Sequence, residues 1–302
     1  MCIVSGSIGS LDPMSPGPHH EAALAAVPKL IEFEQVAYTY PSGLQSSIKS
    51  LSLRMPKGSR CGLIGDNGCG KTTLFLLAHG LLRPQSGRIL WQGKPFSYCR
   101  EGLSHLRQRI GLVFQNPEHQ LVATTVAEDL SYGLVNMGLG DDEIRSRIQT
   151  IANSFNLGNL LDRQVHSLSL GQKKILSLAD VMVLEPELLL MDEPTAYLSP
   201  GHCIDLRQRL NRIHAAGTSI IVATHDLEFL NGWADWLFVM DRGQLVMEGQ
   251  PADVFSQQQQ LEELNLGIPP TLELLADWRQ LAKSHLNLPP AQLEMLERQL
   301  RP

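Results

Sequence analysis

No apolar run in this sequence approaches the ~20 residues that a helix needs to span a bilayer. The longest candidates, Glu187 to Met191 and Ser219 to Ala223, have the length of strands. The first residues lack both a charged n-region and a continuous apolar core, so no secretory signal is expected. Cysteines are few and scattered (Cys2, Cys61, Cys69, Cys99, Cys203), odd in number and without C-x-x-C spacing. That argues against a disulfide scaffold or a structural zinc and fits a reducing cytoplasm. Positive charge is also in short supply. With 25 Lys and Arg against 31 Asp and Glu, the net charge is −6, which speaks against nucleic acid as a partner. No internal repeat is visible. What remains is an ordinary globular composition, 43% hydrophobic and 19% charged. The length of 302 residues suits one large domain, or one domain with a smaller appendage.

Residues 1 to about 28 are rich in Gly, Ser, Pro and Ala, with Pro13, Pro16 and Pro18 against regular structure, and are expected to be a disordered leader. Met14 is a candidate alternative start, which the sequence does not decide. From Leu30 the pattern changes to strands: Ile31 to Val36 alternates apolar and polar, and further strands are expected at Ser47–Leu53, Arg60–Ile64, Arg88–Trp91 and Ile110–Phe114. The stretch from about 120 to 184 reads as helical. Thr125 and Glu128 have capping-box spacing, and Asp141 opens a helix with Ile144, Ile148 and Ile151 on one face. Strand signals return at Leu188–Met191, Ser219–Ala223 and Trp236–Met240. An α/β fold is expected, a parallel sheet interrupted by a helical insert, over residues 29–250. Residues 251–302, with the Gln257–Gln260 run, two Pro pairs and Leu-rich stretches, suggest a small helical extension.

The chemistry is concentrated in three segments. Gly65-Asp66-Asn67-Gly68-Cys69-Gly70-Lys71-Thr72 lies between an apolar strand and the helical pattern opened by Thr73, and fits G-x-x-x-x-G-K-[ST] without a mismatch. Gly65 and Gly70 leave room for backbone N–H groups to turn onto a polyphosphate, and the following helix adds its dipole. Lys71 supplies a charge for the β- and γ-phosphates, and Thr72 a hydroxyl for Mg²⁺. Cys69 sits near that helix N-terminus, an environment expected to lower its pKa, so alkylation there should block nucleotide binding. The second segment, Leu188-Leu189-Leu190-Met191-Asp192-Glu193, reads as a strand buried on both faces that delivers two acids beside the phosphate loop. Asp192 suits Mg²⁺, and Glu193 suits polarising a water. The third, Leu168-Ser169-Leu170-Gly171-Gln172, opens a helix and by itself is an anion site.

Together these segments resemble the ATP-binding-cassette ATPases, whose signature is L-S-G-G-Q. The resemblance implies a RecA-like P-loop core with an antiparallel β subdomain, an inserted α-helical signature subdomain and ATP with Mg²⁺ as cofactors. It implies that Ser169, Gly171 and Gln172 meet the γ-phosphate held by a second subunit, two cassettes closing head to tail as a homodimer or a heterodimer. An isolated monomer is therefore expected to be nearly inactive. Tyr40, or else Tyr38, corresponds to the aromatic that stacks on adenine. Gln115 corresponds to the glutamine that contacts Mg²⁺ and water, and His225 to the switch histidine. Two positions depart from the pattern. Leu170 replaces a signature glycine, and Ser199 stands where an aspartate is usual, two residues after Tyr197, itself bulkier than the usual glycine. These put equal activity of two sites in question.

The run from Phe114 through Asp129 follows Q-N-P-x-x-Q-x-x-x-x-x-V-x-x-D. It is similar to the cobalt/nickel and vitamin energy-coupling-factor cassettes, and Leu264 to Pro270 resembles their helical extension. The likeness, covering roughly Leu30 to Ala282, implies a peripheral protein on the cytoplasmic face of the cell membrane, joined to integral membrane transporter subunits. Glu118–Asp129 is the expected docking segment. A DNA-repair cassette would carry a long coiled coil, for which this insert is too short. A ribosome-associated factor would carry two cassettes. A non-hydrolysing cassette stays open because of Ser199.

Overall fold

Alternation and uniform apolarity sort the strands of this chain into two sheets. The computed structural model describes residues 28–41, 43 and 46–281. The expected leader, but for Pro28, and the extension beyond residue 281 lie outside the described residues. In chain order the elements are β1 (Lys29–Tyr38), β2 (Ile48–Pro56), β3 (Arg60–Ile64), α1 (Lys71–Ala78), β4 (Ser86–Trp91), β5 (Lys94–Pro95), α2 (Arg100–Arg109) and β6 (Ile110–Val113). They continue as α3 (Val126–Asn136), α4 (Asp141–Phe155), α5 (Leu170–Met182), β7 (Leu188–Asp192), α6 (Pro200–Ala215), β8 (Ser219–Ala223) and α7 (Leu227–Leu230). The last are β9 (Trp236–Asp241), β10 (Gln244–Gly249), α8 (Pro251–Phe255), α9 (Gln258–Glu263) and α10 (Pro270–Leu281).

The half-polar strands form a four-stranded antiparallel sheet in the order β2-β1-β4-β5. The largely apolar strands β3, β6, β7, β8 and β9, with the half-exposed β10 at one edge, form a six-stranded sheet in the order β10-β9-β3-β8-β7-β6. Its pairings are parallel except for β10, which runs antiparallel to β9 along one edge. Every residue of β7 and β8 is buried, as expected of a parallel strand covered on both faces. Helix α1 lies between the sheets. Its Leu74 and Phe75 meet Ile31, Phe33 and Leu53 on one side and Leu190, Ile221 and Phe238 on the other. A second core packs α5 and α6 onto the opposite face of the parallel sheet through Leu176, Leu206 and Leu210 against Leu189, Ile220 and Val222.

The helical insert begins where its cap predicts. Thr125 accepts from the Glu128 N–H, and the Glu128 carboxylate accepts from the Thr125 N–H. Leu134, Ile144 and Val183 then join α3, α4 and the end of α5. The chain beyond β10 packs as helices through Val254, Phe255 and Leu261. Thr271 anchors this extension, its hydroxyl 2.9 and 3.0 Å from the Glu228 carboxylate oxygens.

Candidate functional site

Parallel strands end their carboxyl termini along one edge, and the site is built on that edge. The glycine-rich turn leaves β3 and becomes α1. At Gly70 the backbone is left-handed, φ 111°, and a Cβ there would stand 2.6 Å from the Ser47 carbonyl oxygen. Only glycine fits both constraints. Lys71, buried, folds its ammonium back under the turn and donates to the carbonyls of Gly65 (2.6 Å) and Asp66 (3.2 Å). Thr72, the next residue of α1, donates its hydroxyl to Asp192 Oδ2 at 2.6 Å. Asp192 is the last residue of β7, and burial pushes its carboxyl above the usual range, with Thr72 pulling the other way.

Glu193 follows in a left-handed conformation, φ 45°. Its carboxylate oxygen Oε2 gathers three groups from the end of β8: the Thr224 hydroxyl at 3.1 Å, the His225 N–H at 3.4 Å and His225 Nδ1 at 2.8 Å. Register makes this possible, because Asp192 pairs with Ala223 and places the two strand ends side by side. A cavity of about 300 Å³ opens here, lined by Asn67, Gly68, Gly70, Lys71, Thr72, Thr73, Gln115, Asp192, Glu193 and His225, together with Ser47.

The remaining expected residues are elsewhere. Asp66 accepts from the Asn67 N–H, 2.6 Å, and with Gly65 shapes the turn without lining the cavity. Tyr40 stands beside it, hydroxyl 3.4 Å from Thr73 Oγ1 and ring edge-on to Tyr38 with centroids 5.1 Å apart. Ser169, Gly171 and Gln172 lie outside the cavity at the exposed start of α5. Ser169 Oγ accepts from the Gln172 N–H and Gln172 Oε1 accepts from the Ser169 N–H, a complete capping box. Cys69 corrects an expectation. Its side chain is buried in the core beneath the turn, and burial pushes the thiol up, outweighing the neighbouring Lys71 charge. Sequence reasoning also missed two groups. Ser47 carried no signal, and Thr224 was visible only as a neighbour of His225.

A hydroxyl and a buried carboxylate 2.6 Å apart form an oxygen donor set suited to a hard divalent cation. No group of three or more His, Cys, Asp or Glu side chains fit to hold a metal occurs among the described residues. Such a cation would take further oxygens from other groups around the cavity, where Gln115 also lies. An amide-lined turn opening a helix, a buried lysine, and carboxylates at the end of the adjacent strand define a P-loop nucleoside triphosphatase.

Comparisons with known proteins narrow that class. The family model described as ABC transporter matches residues 48–196. A putative ABC transporter ATP-binding protein of Nostoc sp. is 54% identical over 85% of this chain and 93% of its own length. An energy-coupling factor transporter ATP-binding protein of Clostridium perfringens is 38% identical over 80% of this chain and 84% of its own. Among solved structures, cbiO1 of Clostridium perfringens, part of the ABC transporter complex cbiONQ, superposes with a TM-score of 0.70. It is 38% identical and covers 79% of this chain and 95% of its own. The chain belongs to the ATP-binding-cassette family and is an ATPase of the kind that serves as the ATP-binding subunit of ABC transporters.

Proposed function

We propose that this chain is the ATP-hydrolysing subunit of an energy-coupling-factor-type transporter that drives uptake of a metal ion such as cobalt or nickel, or of a vitamin. The observation that carries the proposal is the convergence of Lys71, Thr72, Gln115, Asp192, Glu193 and His225 on one cavity. The loop amides and Lys71 bind the triphosphate, with Gly65, Asp66, Asn67, Gly68, Cys69, Gly70 and Thr73 contributing backbone and shape. Thr72, Asp192 and Gln115 hold Mg²⁺, which when bound neutralises phosphate charge. Glu193 accepts a proton from the attacking water. His225, hydrogen-bonded to that carboxylate, fixes its orientation. Tyr40 stacks on the adenine.

Ser169, Gly171 and Gln172 act on the nucleotide of a second cassette, a copy of this chain or a paralogue. The exposure of Ser169, the half-exposure of Gly171 and Gln172, and the absence of all three from the lining of the chain's own cavity support that arrangement. A membrane subunit docks along Glu118–Asp129, where Val122 is 69% exposed, and the following helix α3 exposes Tyr132 and Val135 at 59% and 58%. The protein is then peripheral, on the cytoplasmic face of the membrane, and among the described residues no helix is long and apolar enough to cross it. An acidic net charge of −6 supports the absence of a nucleic-acid partner.

The test is steady-state hydrolysis of MgATP by wild type and Glu193→Gln. Removing a general base is expected to lower kcat about 10²–10⁴-fold, with ATP still bound and an ATP-bound dimer accumulating. Wild-type turnover in the variant would refute the role given to Glu193. Wild-type activity per molecule is further expected to rise with protein concentration, and co-purification with detergent-solubilised membrane subunits tests the transporter assignment.

A further inference from the structure

The segment after β7 is strained at two places. Glu193 has φ 45° and Tyr197 φ 65°, both in the left-handed region that side chains disfavour. Such conformations persist where surrounding structure over-determines them. Part of that support is local: Glu193 N–H donates to the Ala223 carbonyl (2.8 Å), Ala196 N–H to Glu193 (3.2 Å) and Leu198 N–H to Thr195 (3.1 Å). The carbonyls of Pro194 and Ala196 are met by a single group, the Lys174 ammonium, which donates to Pro194 O at 3.2 Å and to Ala196 O. The same ammonium lies 5.9 Å from the centroid of the Tyr197 ring.

Lys174 stands on α5, little more than one turn beyond Ser169, and it does not line the cavity. Its ammonium is partly buried, which lowers its pKa, while Cys203 and Glu193 oppose that shift. A half-buried lysine held on two carbonyls of a strained loop is doing a geometric task, because a charge with no such task would stay in water. Lys173 beside it, also half-buried, is engaged differently, pairing with the exposed Glu118 at 2.8 Å.

We propose that Lys174 is a positioning residue, a strut that ties the helix carrying Ser169 to the loop carrying Glu193, so that the catalytic carboxylate and the signature turn move as one body. The inference rests on the ATPase reading above, in which Glu193 accepts the proton from water. Lysine suits the task because its ammonium has three donors on a compact charge and can serve two carbonyls at once. It also accounts for how a bulky Tyr197 is tolerated in a left-handed position, since its ring and its neighbours' carbonyls share that cation.

The experiment compares MgATP hydrolysis by wild type, Lys174→Met and Lys174→Arg at matched protein concentration. Lys174→Met is expected to lower kcat at least tenfold with KM for ATP within twofold of wild type. Lys174→Arg, which keeps charge and donors, recovers kcat to within about threefold. Tyr197→Gly, with and without Lys174→Met, repeats the comparison in a relaxed loop, where the Met substitution should lower kcat less than threefold. Equal losses in the two backgrounds, a Lys174→Met kcat within twofold of wild type, or an Arg variant as impaired as Met would overturn the strut. A wild type that stays inactive at every protein concentration and with its second cassette supplied would instead sink the ATPase reading on which it stands.

Discussion

Thr224 is the residue through which the geometry of Glu193 can be perturbed without touching a charge. Its hydroxyl, fully buried, donates to Glu193 Oε2 at 3.1 Å and accepts from the Asp226 N–H at 3.0 Å. Thr224→Val preserves the shape and deletes both bonds. A hydrogen bond to a charged group contributes about 1.5–3 kcal/mol and a neutral one about 0.5–1.5 kcal/mol, so the variant should lose about 2–4.5 kcal/mol of stability. In melting temperature that is roughly 5–15 °C. Thr224→Ser keeps the hydroxyl and removes only a methyl, about 0.8 kcal/mol. Because the carboxylate also loses a partner that orients it, kcat should fall roughly tenfold or more in the Val variant, equivalent to about 1.4 kcal/mol at the transition state. Thermal unfolding followed by circular dichroism, with MgATP turnover on the same samples, reads both effects. A Val variant as stable and as active as wild type, or a Ser variant as damaged as Val, would show that this hydroxyl does not hold Glu193.

Thiol reactivity should invert what the phosphate loop suggests. Exposed Cys99, its thiol lowered by hydrogen bonds from Ser97 and the Gly102 N–H, should react with iodoacetamide well before Cys69 or Cys61, whose thiol is pushed up to about 12 by burial. Peptide mapping that found Cys69 modified as fast as Cys99 would contradict its burial. In the insert, burial first and the Asp129 charge second push Asp180 up to about 7. Between about pH 4 and pH 7 the folded chain keeps a proton that the unfolded chain releases, so this group subtracts stability as pH rises, by at most about 1.4 kcal/mol per unit. Asp180→Asn should therefore gain on wild type in urea midpoint from pH 5 to pH 8, and a constant difference would remove Asp180 as the cause.

Much of the α/β architecture could be read from residue patterns because uniform apolarity and punctuation coincide. Arg60–Ile64 and Ser219–Ala223 appear as strands with the expected bounds, and Thr125 caps α3 as its spacing requires. Elements with weak burial did not show. Helix α2 buries only Leu106, and β10 is an edge strand whose Leu245, Val246 and Met247 are half-exposed, so neither presents a clear period. At the site, loop spacing singled out Lys71 and Thr72 and a strand end singled out Asp192 and Glu193, and all four line one cavity. They could not announce Lys174, one member of a basic pair, nor the left-handed backbone at Glu193, which depends on the hydrogen bonds around it. Cys69 misled for a related reason: a dipole argument was made for a thiol that the fold removes from solvent.

The capping box at the start of α5 bears on what that helix can offer a neighbour. A serine oxygen has two lone pairs and one proton, and securing the Gln172 amide engages a lone pair alone. Among the described residues the O–H of Ser169 meets no acceptor, nor does the NH₂ of Gln172, whose carbonyl oxygen already takes the Ser169 amide. Terminating the helix and greeting an anion draw on opposite ends of the same side chains, so the turn need not unravel to receive one.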